Sequence, residues 1–178
     1  MVRPLEQHGR LLHPARTVRM SRPRTAGIHN ARTGPRFAHP SDARRPLTIV
    51  WCEDEPSVVD LLERVWFLGG ELAHPADQLL FTPDGEQALA WVDAHGADFL
   101  VTDEWHPRGP LGHELLREAA RHPTLALGHF SGYLDERIDA EQLDFLLTKP
   151  ADLWRLVSAL TDVTRPLRAG TYRPRRLR

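Results

Sequence analysis

Five short apolar runs of strand length, separated from one another by stretches with helical spacing, constrain this chain more than any other feature. They lie at 48–52 (TIVWC), 79–82 (LLFT), 98–102 (DFLVT), 124–130 (TLALGHF) and 144–148 (DFLLT). After the first run, Val58, Leu61, Leu62, Val65 and Trp66 recur at the spacing that lines one helix face, and Pro56 suits the first turn. Ala88, Leu89 and Val92 repeat the pattern, as do Leu115, Leu116 and Ala119, and finally Leu153, Leu156, Val157, Leu160 and Val163. The remaining interval, 134–143, is short and weakly patterned. Continuous apolar strands need burial on both faces, and parallel strands need crossover helices. The alternation therefore predicts an α/β domain: a doubly wound five-stranded parallel sheet with helices on both faces.

The 178 residues suffice for one domain and some extra chain. The net charge of −1 hides an asymmetry. Residues 1–46 carry ten Arg and two acids, and 165–178 carry six Arg and no acid, whereas 47–164 have a net charge of −15. The expected organisation is a disordered Arg/Pro-rich leader over 1–46, a folded domain over 47–164 and a basic tail over 165–178. No apolar run approaches bilayer length and no signal-peptide core is visible, which predicts a cytoplasmic protein without membrane contact. The single cysteine, Cys52, excludes an internal disulfide framework and reads as a small core residue. The ten histidines show no paired-ligand spacing, and His106 reads as a surface loop residue.

In doubly wound sheets the working site lies beyond the carboxyl ends of the strands. Here the first run ends in Glu53-Asp54-Glu55, the third in Asp103-Glu104, the fourth in Ser131-Gly132 and the fifth in Lys149-Pro150. Carboxylates gathered at one edge repel one another, and a hard divalent cation such as Mg²⁺ is the simplest relief. Lys149 and Ser131 would then supply charge and a hydrogen bond to phosphoryl oxygens, with one carboxylate as nucleophile.

These residues resemble the receiver domain of two-component response regulators, the CheY-like superfamily. The matches are WCEDEP after the first strand, Asp103 with Pro107 four residues on, SGY after the fourth strand and TKP after the fifth. The resemblance covers roughly residues 47–164 and implies a flavodoxin-like strand order, 2-1-3-4-5. It implies that Asp103 accepts a phosphoryl group from a histidine kinase or phosphotransfer protein. Glu53, Asp54, Asp103 and the backbone carbonyl of Trp105 are implied as Mg²⁺ ligands, with Ser131 and Lys149 facing the phosphoryl group.

Several positions depart from the family pattern. The customary glycine of the phosphoacceptor loop is displaced by one, to Gly112, and the Ser131 to Lys149 interval is short by about one helical turn. The usual aromatic switch position holds Leu146, and the neighbouring Phe145 belongs on the opposite face. The two positions that tune phosphoryl lifetime in the family carry bulky Trp105 and Tyr133, which predicts a slow-decaying acyl phosphate.

The leading expectation is a stand-alone receiver, not an enzyme in its own right, that signals through a downstream protein partner. The alternative is a phosphorylation-independent pseudo-receiver scaffold, favoured by the shortened fourth crossover and Leu146. An aspartyl-phosphate phosphatase usually needs a second aspartate two residues after the nucleophile, where Trp105 stands. Nucleic acid is expected only at the Arg-rich tails, since the acidic body repels it. The oligomeric state is left open, a dimer included.

Overall fold

Alternate residues of the central strand divide the core in two. Ile49 and Trp51 pack with Leu62, Trp66, Leu156 and Leu160 on one face, while Val50 and Cys52 pack with Ala88, Val92, Leu115 and Leu116 on the other. The computed structural model describes residues 16–19, 45–68 and 72–175. In chain order the elements are β1 (Arg16–Arg19), β2 (Thr48–Cys52), α1 (Pro56–Leu68), β3 (Gln78–Thr82), α2 (Gly85–His95) and β4 (Phe99–Thr102). There follow α3 (Gly112–Ala119), β5 (Ala126–Ser131), a single 3-10 turn (Ala140–Gln142), β6 (Phe145–Thr148) and α4 (Leu153–Arg168).

The sheet order is β1-β3-β2-β4-β5-β6. Its last five members are parallel and form the expected 2-1-3-4-5 array with helices on both faces. The sixth strand is an addition to that expectation. Arg16–Arg19 pairs antiparallel with β3, Thr17 opposite Leu80. The two central residues of RTVR are β-branched, a composition that suits a short edge strand even inside an Arg-rich stretch. Apart from 16–19 and 45–46, the expected disordered leader lies outside the described residues.

Among the described residues four α-helices cover the sheet, because the crossover between β5 and β6 contains no more than the 3-10 turn. Its acids close local turns instead of leaving the backbone to a helix: Asp135 accepts from the Arg137 N–H at 2.9 Å and Asp139 from the Glu141 N–H at 3.1 Å.

The C-terminal helix continues beyond the boundary expected at residue 164. Pro166 lies within its last turn, and Arg168 ends it in a buried, two-point ion pair with Asp77 at 2.9 and 2.6 Å. Asp77 also accepts from the Leu47 N–H, the His74 N–H and the Trp66 indole, and Arg168 donates to the Leu72 and Arg45 carbonyls. Farther along the expected basic tail, the Tyr172 hydroxyl donates to Asp144 at 2.5 Å. Among the described residues, no helix is long and apolar enough to cross a membrane.

Candidate functional site at the carboxyl edge of the sheet

Parallel register carries the ends of β2, β4, β5 and β6 to one edge, so Glu53, Asp54, Asp103, Ser131 and Lys149 meet there although up to 96 residues separate them. The Lys149 ammonium lies 2.5 Å from Glu53 Oε2 and 2.7 Å from Asp103 Oδ2, and rests 5.3 Å from the centre of the Phe130 ring. Carboxylate oxygens of Glu53, Asp54 and Asp103 all fall within 4.8 Å of one another. The Glu55 N–H donates to the other oxygen of Glu53 at 3.2 Å. The peptide bond between Lys149 and Pro150 is cis.

Backbone donors complete the surroundings of Asp103. The Glu104 N–H points at Asp103 Oδ1, 2.5 Å away, and is shared with the Ser131 hydroxyl oxygen at 3.3 Å. That oxygen also accepts from the Tyr133 N–H at 3.1 Å, and Ser131 is fully buried. Burial raises the proton affinity of Asp103, but hydrogen bonds from Lys149, Ser131 and the Glu104 amide, with the Lys149 charge, outweigh it and hold the carboxyl below its usual range. Glu53 goes the other way. Its burial dominates over Lys149 and pushes its pKa up to about 7. Cys52, one residue earlier, is buried and its thiol is raised well above the ordinary value by desolvation and then by the neighbouring acids, which suits a core residue and not a reactive thiolate.

Three carboxylates against one ammonium leave an excess of negative charge, and an all-oxygen donor set of this size matches a hard divalent cation. The residues therefore fit Mg²⁺.

The loop from Asp103 to α3 is fixed by contacts that its residue types do not announce. A Cβ on Gly112 would lie 2.2 Å from the Asp103 carbonyl oxygen, so only glycine lets α3 start this close to the site, and its N–H donates to the Glu104 carbonyl at 2.9 Å. Displacement of the glycine by one position thus still gives a tight loop. His106, read as a surface residue, is half-buried. Its ring nitrogens lie 3.0 Å from the Thr102 hydroxyl and 3.0 Å from the Pro110 carbonyl, which braces the loop from within. Glu104, grouped by sequence with the acids of the edge, instead turns inward and is buried against His113.

Trp105 and Tyr133, each two residues beyond a site residue, Asp103 and Ser131, are exposed, with ring centroids 6.3 Å apart. Phe145 lies on the opposite sheet face from Leu146, as strand alternation predicts. It packs edge-on against Phe99 with centroids 5.7 Å apart and lies over Gly128, where a Cβ would come within 2.6 Å of its ring.

No family model and no curated protein matches this sequence. Solved structures do match. A putative response regulator from Chloroflexus aurantiacus is 24% identical with a TM-score of 0.55, covering 68% of this chain and 99% of its own. The signal receiver domain of an HD domain-containing protein from Pseudomonas fluorescens is 21% identical with a TM-score of 0.58, covering 70% and 99%. A sensor protein from a Polaromonas species is 26% identical with a TM-score of 0.54, covering 69% and 98%. The chain has the CheY-like receiver-domain fold of response regulators.

Proposed function

We propose that this protein is a two-component receiver that accepts a phosphoryl group on Asp103 from a histidine kinase or phosphotransfer protein and signals by changing a surface seen by a downstream protein. The observation that carries this reading is the placement of one ammonium, Lys149, against two carboxylates, Glu53 and Asp103, from different strand ends. A carboxylate oxygen of Asp103 attacks phosphorus, the phosphorus–nitrogen bond of the donor histidine breaks, and that nitrogen keeps the bonding pair. Lys149 then meets phosphoryl oxygens, and the Ser131 hydroxyl and Glu104 N–H donate toward the same group. Glu53, Asp54 and Asp103, with the Trp105 carbonyl, would hold Mg²⁺, which when bound would supply charge neutralisation for a phosphoryl group. The working compartment is the cytoplasm.

The test is the intact mass of the full chain after acetyl phosphate and Mg²⁺, beside Asp103→Asn. A Mg²⁺-dependent phosphoryl adduct in the parent alone supports the reading. Its absence in a folded protein supports the second reading, a scaffold that binds partners without phosphorylation. Two observations favour that alternative: the fourth crossover lacks a helix, and Phe145, the aromatic nearest the usual switch position, is locked in the core.

A further inference from the structure

A second cluster of ionisable side chains lies next to the acidic pocket and shares no ligand with it. Glu104 leaves the end of β4, His113 sits in the first turn of α3, His129 is inside β5, and Asp135 follows β5. All four are buried, with side-chain exposures of 1, 5, 0 and 8%. His113 Nδ1 is 2.7 Å from Glu104 Oε1, and the His113 N–H donates to Glu104 Oε2 at 3.1 Å. Candidate donor atoms of Glu104, His113 and Asp135 fall within 4.8 Å of one another.

Hydrogen bonding accounts for Glu104 and His113 but not for His129. Neither ring nitrogen of this fully buried imidazole makes a hydrogen bond, and its Nε2 is aimed at Glu104 Oε2 from 3.5 Å. An imidazole buried in an apolar strand, with no close hydrogen bond at either nitrogen and only the longer contact to Glu104, is costly unless something else occupies those nitrogens. We propose that Glu104, His113, His129 and Asp135 form a site for a divalent transition metal of the zinc type, built into the core beside the phosphoacceptor.

The donor set decides the class of ion. Two imidazoles and two carboxylates suit Zn²⁺ and its borderline neighbours, whereas Mg²⁺ prefers oxygen ligands and retained waters. Four-coordinate zinc with bonds near 2.0–2.1 Å places its donors roughly 3.3 Å apart, so His129, 3.5 Å from Glu104 but outside the 4.8 Å group of Glu104, His113 and Asp135, must turn toward that group as the metal enters. The shorter His113–Glu104 contact holds a proton that an entering metal replaces. Asp135 is already oriented by Arg137, whose Nε and Nη2 donate to its two oxygens at 2.7 and 2.5 Å. Such outer hydrogen bonds are the usual support of a ligating carboxylate. The four ligands come from four segments, so a bound metal ties β4, α3, β5 and the shortened crossover together. The inference stands on these residues and is independent of phosphorylation.

The test uses the full chain stripped of metal by a chelator and then held in millimolar Mg²⁺, which fills the acidic pocket. Zn²⁺ alone is titrated in competition with a chromophoric chelator. One Zn²⁺ per chain is expected, with affinity weakened about tenfold or more by His113→Ala and by His129→Gln and left unchanged by Glu86→Gln, an exposed carboxylate outside both clusters. Zinc binding that is absent, or that survives His113→Ala undiminished, overturns the proposal. Should either variant fail to fold, X-ray absorption at the zinc edge of the parent decides. Two imidazole and two oxygen scatterers support the site, and any other shell overturns it.

Discussion

Lys149 at the end of β6 donates to Asp103 at the end of β4 across a distance of 2.7 Å, joining residues 46 positions apart in a pair whose members are both only 15% exposed. Its second partner, Glu53, is buried still more deeply. Removing the ammonium leaves two carboxylates facing each other without compensation. Lys149→Met is therefore expected to slow formation of the acetyl-phosphate adduct by about a hundredfold, the usual cost of losing one charge-stabilising donor. Time-resolved intact mass checks it; an adduct rate equal to that of the parent would remove Lys149 from the reaction.

Trp105 and Tyr133 follow Asp103 and Ser131 by two residues each and bring their rings within 6.3 Å of one another. They belong to different loops, so together they narrow the approach of water to an acyl phosphate on Asp103. Trp105→Ala is expected to shorten the lifetime of that acyl phosphate several-fold without altering the fold, since the indole is more than half exposed. The measurement is decay of the phosphorylated mass after removal of acetyl phosphate, and an unchanged lifetime defeats the idea.

Gly112 faces the carbonyl of Asp103 so closely that any side chain forces the loop or α3 to move. Gly112→Ala should cost about 1–3 kcal/mol, the ordinary price of overpacking a tight site. Because the displaced atoms belong to Asp103 and Glu104, Mg²⁺ affinity should fall with stability. Urea unfolding and Mg²⁺ titration of the same variant measure both, and a variant with parental values in each would show that the loop has room to spare.

The strand exits were legible in the sequence because parallel strands buried on both faces leave a polar residue only where the strand stops. Glu53, Asp103, Ser131 and Lys149 all stand at such stops. What escaped the sequence depends on partners distant along the chain. The last helix looked finished before Arg165 because RPLR reads as a basic tail, yet Arg168 is buried by Asp77, 91 residues earlier. Glu104 looked like one more pocket acid, since an adjacent carboxylate carries no mark of direction. Only the fold brings His113 and His129 to its other side. One signal for this was present: His129 is a polar residue inside an otherwise apolar run, where no sheet position exposes it to water. The edge strand β1 had no such signal, being four residues in a segment without apolar periodicity.

Glu53 gives the site a pH dependence with a definite sign. Its pKa in the fold is about 7, against 4.5 as the ordinary value, so between these limits the folded protein holds a proton that the unfolded chain has lost. This group therefore favours the folded state less as pH rises through that window, and no further above it. Asp103 acts oppositely, adding stability above its ordinary pKa that is lost as pH falls through its depressed one. For a cation the proton on Glu53 is a competitor. Mg²⁺ affinity should climb by about tenfold per unit as pH approaches 7 from below and level off above it. Glu53→Gln, which cannot titrate, should bind more weakly and lose that slope. Calorimetric Mg²⁺ titration on both sides of pH 7 checks the pair. A slope that persists in Glu53→Gln would assign the competing proton to another group and return Glu53 to a purely structural partnership with Lys149.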